Sequence, residues 1–170
     1  MDHTIIVRRA TADDADTLLR FLRGMVDDHR PGRVPDVTPT NLRRDGFGAD
    51  RLFEAWIAEV DGAPVGYVSF FRGYAGWHSK PIAFMHALYV DNAARRYGVA
   101  RRLVAQVAAV VRRRGWLRIE LFVEADKPAV KFYEAIGMTA LDHCHFQLGP
   151  EGVVRLADEV DTPRPMLKRE

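Results

Sequence analysis

The sequence predicts one α/β domain in which helices flank a mixed β-sheet. Three observations support this class. Strand-like runs alternate with helical patterns, the apolar runs 52–60 and 65–71 flank an Asp61-Gly62 turn, and no linker or repeat interrupts the chain. The 170 residues are 48% apolar and 28% charged, which is typical of a globular domain with a sizeable core. We therefore expect residues 1–170 to form a single domain.

The first half of the chain predicts a strand, two helices and a hairpin. Residues 4–7 favour a short strand, and Thr11 then caps a helix whose first turn carries Asp13 and Asp14. Residues 30–39 hold three prolines and a glycine, which predicts a loop, and a short helix is expected over 39–44. The hairpin around Asp61-Gly62 follows. Residues 72–81, rich in glycine and aromatics, are expected to form a loop.

The second half predicts alternating strands and helices. Residues 82–90 form a strand, and residues 98–114 form a helix with one apolar face that Gly115 ends. Residues 117–123 alternate as a strand, and residues 128–136 form a helix that begins near Pro128 and stops at Gly137. A last strand over 143–148 and a short helix over 153–159 are expected. The order β, α, α, β, β, β, α, β, α, β is that of a mixed α/β sheet.

Charge and composition argue against several functional classes. The net charge is +2, from 25 basic and 23 acidic residues, so we expect no nucleic-acid partner. A single cysteine, Cys144, fits a reducing compartment, and the start MDHTIIVRRA lacks the apolar stretch of a signal peptide. No apolar run approaches the roughly 18 residues of a membrane span. We expect a cytoplasmic protein without a membrane partner. A metal site at His143 and His145 would need further ligands nearby, so we also expect no metal.

The most informative segment is residues 86–115, a strand followed by a basic glycine-containing turn and a long helix. Amides at a helix N-terminus lack partners and the dipole there is positive, so such a turn can hold a pyrophosphate. Gly98 would let the backbone approach an oxygen. Four arginines add positive charge: Arg95, Arg96, Arg101 and Arg102. From spacing alone, a plain glycine turn before a surface helix explains the segment equally well.

Two motifs make a family resemblance specific. Arg95-x-x-Gly98-x-Ala100 resembles the Gln/Arg-x-x-Gly-x-Gly/Ala signature of the GNAT superfamily of N-acetyltransferases, and residues 88–90 (LYV) are similar to the strand end before it. Residues 126–138 (DKPAVKFYEAIGM) resemble its second signature, Asn-x-x-Ala-x-x-Phe-Tyr-x-x-x-Gly-Phe, with Asp126 and Met138 as departures. The resemblance spans roughly residues 4–148.

The resemblance implies the GNAT fold, a central, mostly antiparallel sheet flanked by helices, with two parallel strands that splay at the acetyl-CoA site. The strand ending at Val90 would part from the one ending at Val123, and the pantetheine arm would pair with the backbone of Leu88 and Val90. The Leu88 amide would stabilise the oxyanion while the amine attacks the thioester directly. The residues it assigns to acetyl-CoA are Leu88, Tyr89, Val90, Arg95, Arg96, Tyr97, Gly98, Val99, Ala100, Arg101, Asp126, Ala129, Phe132 and Tyr133.

The resemblance also implies the acid, and it leaves the base open. Tyr133 matches the family's general acid, which would protonate the leaving thiolate; by residue type alone it would simply pack beside Phe132. An alkylammonium with a pKa of about 10 must lose a proton before it attacks. His86, whose imidazole ordinarily titrates near pH ~6.5, and Glu124 are both candidate bases, and a water relay is a third route.

The acceptor follows from a narrower resemblance. Residues 73–90 and 122–137 are similar to the diamine and polyamine acetyltransferases, except that His86 and Ala87 replace that branch's acidic pair. We expect a primary amine of a small molecule, polyamine-like, diamine-like or amino-acid-like, with Asp27, Asp28, Trp77 and His86 as candidate contacts. A solvated helix end is the alternative for Asp27 and Asp28, and a dimer contact is the alternative for Trp77.

Two other functions and an assembly state remain expectations. The acceptor could instead be a protein or peptide, or the protein could be a non-catalytic acyl-CoA-binding regulator, an alternative raised by the missing acidic pair. By analogy with the superfamily, we expect a homodimer.

Overall fold

A computed structural model describes residues 4–141 and 147–157 of the chain. The chain divides into two compact units, Met1–Val130 and Lys131–Glu170. The expectation of a single domain over 1–170 remains a prediction.

The first unit contains a five-stranded sheet in the order β1-β2-β3-β4-β5. The strands are β1 (Ile5–Arg9), β2 (Glu54–Val60), β3 (Ala63–Ala75), β4 (Lys80–Val90) and β5 (Ile119–Glu120). The first three pairings are antiparallel and the pairing of β4 with β5 is parallel. The predicted class, a mixed and mostly antiparallel sheet, is confirmed.

Three helices of the first unit pack around this sheet: α1 (Ala15–His29), α2 (Pro39–Phe47) and α3 (Val99–Arg113). Their starts follow from capping, since Thr11 and Asp14 form a capping box before α1, and Thr38 and Asn41 form one before α2. Arg8 donates to both oxygens of Asp14, at 2.8 Å each, which ties the end of β1 to the start of α1.

Different helices pack on the two faces of the sheet. On one face, Phe21 of α1 stacks on Tyr67 of β3 with ring centroids 5.7 Å apart. The buried members of this cluster are Ala10, Leu18, Phe21, Ala55, Ile57, Tyr67 and Ala87. Because side chains alternate along a strand, Val68 and Phe70 project to the opposite face, where α3 packs. The face that carries Tyr67 is called the α1 face below.

The hairpin predicted at Asp61-Gly62 is confirmed, because both residues have positive φ, 51° and 82°, and they join β2 to β3 directly. The loop predicted over 72–81 is wrong. β3 continues to Ala75 and pairs with β4 from Lys80, and a 3₁₀ turn at Gly76–His78 joins the two strands. Cross-strand pairing overrides the local glycine and aromatic signal there.

The last predicted strands have mixed outcomes. The strand expected over 117–123 is reduced to Ile119–Glu120, the two residues that have partners on β4. The strand expected over 143–148 lies mostly outside the described residues. α4 (Ala129–Ala135) confirms the predicted helix, and the backbone beyond it turns at Gly137, whose φ is 93°. The second unit also contains α5 (Pro150–Ala157), which begins three residues before the predicted start at 153.

Candidate active site

The structure opens a gap between β4 and β5. The two strands pair in parallel at Ala83 opposite Ile119 and at Phe84 opposite Glu120. β4 then continues for six further residues to Val90, whereas β5 ends at Glu120. Within residues 4–141 and 147–157, no strand pairs with β4 on this side beyond Phe84. This is the splayed arrangement that the family resemblance implies.

A β-bulge at His86 decides which backbone groups face the gap. Ser69 lies opposite Ala87 and Phe70 lies opposite Met85, so His86 is the extra residue on β4. Before the bulge, the Ala83 amide donates to Arg118 on the β5 side, at 3.0 Å.

The orientation of the amides reverses after the bulge. The Asp91 amide donates to Val65, just before the β3 segment that pairs with Val90, at 2.8 Å. Because amides alternate sides along a strand, those of Ala87 and Tyr89 point to β3, and those of Leu88 and Val90 point into the gap. The bulge therefore presents the Leu88 amide, the predicted oxyanion donor, to the open side of β4.

The turn after β4 leads to a helix N-terminus with exposed amides. A 3₁₀ turn at Asn92–Ala94 is followed by Arg96 and Gly98, whose φ angles are positive at 71° and 83°. Gly98 is the N-cap of α3, so the first amides of that helix have no intrahelical partner. A Cβ at Gly98 would meet no atom within 4 Å, so the space above it is open to a ligand. The predicted pyrophosphate-binding turn therefore has an accessible backbone and a positive dipole end.

Arg95 has protein partners inside this turn. Its Nε donates to the Val90 carbonyl at 2.8 Å, its guanidinium pairs with Asp28 at the end of α1, and it lies 5.7 Å from the centre of the Tyr89 ring. These contacts brace the end of β4 against α1. Arg95 thus has a positioning role that the motif alone does not reveal, and Arg96, Tyr97 and Arg101 remain exposed around the turn.

The predicted acceptor contacts are dispersed. Asp28 is engaged by Arg95, while Asp27 is exposed at the same helix end. Trp77 is fully exposed, at 102%, in the turn between β3 and β4. His86 lies at the bulge, on the strand that borders the gap. Of the four candidate contacts, His86 is the one that lies on β4, two residues before Leu88.

His86 lies on an aromatic surface that extends the α1 face. Its Nε2 lies 3.2 Å from the Ser69 hydroxyl, and its ring centre is 5.9 Å from those of both Phe53 and Phe71. Although His86 is solvent-exposed, desolvation by the surrounding protein lowers its pKa from the usual value. The neutral imidazole is therefore favoured at neutral pH. If Nε2 carries the proton and donates to Ser69, Nδ1 keeps a free lone pair.

The aromatic surface continues from Phe71 to β5. Phe71 stacks on Phe84 with centroids 5.0 Å apart, and Phe84 lies 5.1 Å from Phe122. Phe71 and Phe122 are exposed. Sequence reasoning missed this surface because the bulge at His86 and the extension of β3 change which side chains share a face; the apolar content of residues 70–71 and 84 was visible, but their pairing was not.

The remaining predicted residues lie near the C-terminal end of the first unit or in the second. The Glu124 carboxylate is exposed and pairs with Lys127 at 3.0 Å, and Asp126 is exposed in the same turn. Ala129 begins α4. In the second unit, the ring of Tyr133 lies 5.2 Å from that of Phe132, and burial raises the pKa of Tyr133 to about 12. That phenol stays protonated at neutral pH.

In the part of the chain that the structure describes, no three histidine, cysteine, aspartate or glutamate side chains are grouped so as to hold a metal ion. The predicted strand with His143, Cys144 and His145 lies outside that part. Among the described helices, none combines the length and apolarity that crossing a membrane requires.

Comparisons with known proteins agree with this geometry. The chain is 26% identical over 167 residues to a thialysine N-epsilon-acetyltransferase of Bos taurus, covering 90% of this chain and 97% of that protein. It is 25% identical over 111 residues to the spermidine/spermine N(1)-acetyltransferase-like protein 1 of Homo sapiens, covering 61% of this chain and 16% of that protein. These matches confirm the resemblance to diamine and polyamine acetyltransferases.

Solved structures share the fold. An integron cassette protein from the mobile metagenome of V. cholerae superimposes with a TM-score of 0.76 at 16% identity, covering 90% of this chain and 97% of that one. An aminoglycoside N-acetyltransferase AAC(6')-Iy in complex with CoA superimposes with a TM-score of 0.67 at 20% identity, covering 88% and 97%. Residues 20–138 match the profile of the acetyltransferase (GNAT) family. With that match over most of its length, and a split β4–β5 pair leading into a glycine-capped helix, the chain belongs to the GNAT family and is an acyltransferase with acetyl-CoA as donor.

Proposed function

We propose that this protein transfers the acetyl group of acetyl-CoA directly to a primary amine of a small molecule, polyamine-like, diamine-like or amino-acid-like. The observation that carries the proposal is the open side of β4, where the bulge at His86 turns the Leu88 and Val90 amides towards the gap. The relatives named thialysine N-epsilon-acetyltransferase support a small amine as acceptor.

The backbone of β4 and α3 would hold the donor. Val90 and Leu88 present strand-like hydrogen-bonding groups to the pantetheine arm, and the amides from Arg96 to Arg101 face the pyrophosphate. Acetyl-CoA supplies a thioester carbonyl activated for attack. The Leu88 amide donates a hydrogen bond to the oxygen of that carbonyl as negative charge develops on it. Holding both reactants in one cleft supplies much of the remaining rate enhancement.

His86 is the base that the geometry supports best. It precedes Leu88 by two residues on β4, and the desolvation that lowers its pKa keeps it neutral and able to accept a proton. Glu124 is less well suited, because its exposed carboxylate is already paired with Lys127. His86 first takes a proton from the ammonium, directly or through a water, so that the neutral amine can attack. As the N–C bond forms and the C–S bond breaks, the nitrogen loses its second proton to water.

Tyr133 is proposed as the acid. Tyr133 matches the family's general acid, and its raised pKa of about 12 keeps the phenol protonated, as a donor to the departing sulfur must be. The sulfur would then leave as the free thiol. Acetylated amine and free CoA are then the products, and no acyl-enzyme forms.

Thiol release measures this function directly. Purified protein is incubated with acetyl-CoA and a panel of polyamines, diamines, amino acids and aminoglycosides, and calorimetry measures CoA binding in parallel. We expect amine-dependent release of CoA with at least one member of the panel. Tight CoA binding without turnover across the panel would favour the non-catalytic regulator. Turnover that appears only when short peptides replace these amines would favour the protein or peptide acetyltransferase.

A further inference from the structure

A cavity of about 540 Å³ lies at one end of the sheet, beside the first residue of β2, and all of its lining residues belong to the first unit. It forms where β2 begins at Glu54, opposite Phe70, while β3 continues beyond that point. Its apolar lining residues are Leu52, Phe53, Phe70, Phe71 and Trp116. The volume falls within the range of about 300–1,000 Å³ that is typical of small-molecule sites.

The charge that lines this cavity is mostly positive. Three guanidinium groups, of Arg51, Arg72 and Arg114, line it together with one carboxylate, of Glu54. Arg114 donates to both oxygens of Glu54, at 2.5 and 2.8 Å, and Arg9 adds a bond of 3.0 Å.

Glu54 is therefore unavailable to a cationic ligand. Its pKa is lowered, chiefly by the hydrogen bonds from Arg114, so it stays ionised and paired at neutral pH. Arg51 and Arg72 are exposed at the cavity. Their charge is not matched by a second lining carboxylate. The cavity thus attracts an anionic group and repels a polycation.

Two of the residues that line the cavity also lie beside the proposed base, His86. Phe53 and Phe71 line the cavity, and the ring centre of each lies 5.9 Å from that of His86. Phe53 and Phe71 therefore connect the arginine-lined cavity to His86, which is not itself one of the lining residues. An aromatic or apolar body suits the walls between them.

We propose that this cavity binds the acid-bearing end of the acceptor, so that the substrate is a primary amine with an apolar or aromatic body and a carboxylate. This inference rests on the proposed function, and it selects the amino-acid-like acceptor over the polyamine-like one. The carboxylate pairs with Arg72 and Arg51, the body packs on Phe53 and Phe71, and the amine lies at His86. A polyamine would place its second ammonium among guanidinium groups with no free carboxylate to receive it.

A matched series of three amines tests the charge preference. The compounds are 4-(aminomethyl)benzoate, benzylamine and 1,4-bis(aminomethyl)benzene. All three contain a benzylamine group, and the opposite ring position carries a carboxylate, a hydrogen or a second aminomethyl group, respectively. We expect the KM of the acid to be about tenfold below that of benzylamine, which corresponds to one charge-assisted hydrogen bond, and the diamine to be the poorest substrate. A diamine that is turned over best would overturn the proposal while leaving acetyl transfer intact.

Substitutions of the lining arginines test whether the effect arises in the cavity. Arg72→Gln removes one exposed lining charge and leaves the pairing of Glu54 with Arg114 in place, so it should raise the KM of the acid about tenfold and leave that of benzylamine unchanged. Arg112→Gln is the matched control, because it removes the same charge from an exposed position of α3 that does not line the cavity. If the double variant Arg72→Gln/Arg51→Gln still has a lower KM for the acid than for benzylamine, the carboxylate binds to another surface.

Calorimetry with CoA-loaded protein separates this inference from the proposed function. If no amine is acetylated, the proposed function fails, yet binding of 4-(aminomethyl)benzoate that Arg72→Gln abolishes would still support the cavity as an acid site. If 4-(aminomethyl)benzoate does not bind, or binds equally to Arg72→Gln and to the Arg112→Gln control, the cavity assignment is overturned whatever the catalytic result.

Discussion

A substitution at Gly98 distinguishes the stability of the fold from the affinity for the acetyl donor. Its φ is 83°, and a side chain there would meet no atom within 4 Å. Gly98→Ala therefore adds backbone strain without a clash. A left-handed conformation costs an alanine about 1–2 kcal/mol, which for a chain of this length lowers Tm by roughly 2–8 °C.

The added methyl group would stand where the proposed pyrophosphate approaches the α3 amides. Losing one charge-assisted hydrogen bond there costs about 1.5–3 kcal/mol, or roughly 10- to 100-fold in the Kd of CoA. Isothermal calorimetry of CoA binding and thermal unfolding of the same samples measure the two effects separately.

Gly115 provides the control at the other end of α3. It also has a positive φ, of 65°, and open space at its Cβ position. Gly115→Ala should lower Tm by a similar amount and leave the affinity for CoA unchanged. If the two variants bind CoA equally, the pyrophosphate does not lie on the Gly98 turn and the reasoning fails.

Three other predictions concern single side chains. Because its lowered pKa makes His86 neutral above mildly acidic pH, kcat/KM should fall as pH drops through that pKa, and His86→Gln should lose this acid limb; a profile that keeps it excludes His86 as base. Tyr133→Phe should lower kcat at least tenfold with little change in CoA affinity, whereas weakened binding with unchanged turnover per bound complex would contradict the acid role. Arg8 lowers the pKa of Asp14, so the stabilisation from that pair is present above the unfolded pKa of about 3.9 and is lost as pH falls through the lower folded value. Asp14→Asn should therefore cost about 1–2 kcal/mol of unfolding free energy at pH 7 and much less at pH 2, measured by urea denaturation; an equal cost at both pH values would refute the linkage.

Local signals predicted the elements that local chemistry determines. The Asp61-Gly62 turn, the Thr11 cap and the glycine ends of α3 each depend on neighbouring residues, and the structure has them where the sequence placed them. The family motifs likewise located the turn at Gly98, which the structure shows as the cap of α3.

Features that depend on strand register were not predictable in this way. The bulge at His86 exists because Ser69 pairs with Ala87 and Phe70 with Met85, and no pattern within either strand specifies that offset. The same offset brings Phe71 beside His86, so the aromatic surface was missed as well. The contacts of Arg95 with Val90 and Asp28 depend on the packing of α1 against the end of β4, which spacing in the sequence does not reveal.

Amide hydrogen exchange measured residue by residue by NMR, with and without acetyl-CoA, tests the central claim most directly. The Ala87 and Tyr89 amides point to β3, so they should exchange slowly in both states, whereas those of Leu88 and Val90 face the gap and should become protected when acetyl-CoA is added. Protection that appears at Leu88 and Val90 is the predicted result. Unchanged exchange at both residues in protein saturated with acetyl-CoA would contradict a donor arm that pairs with the open side of β4.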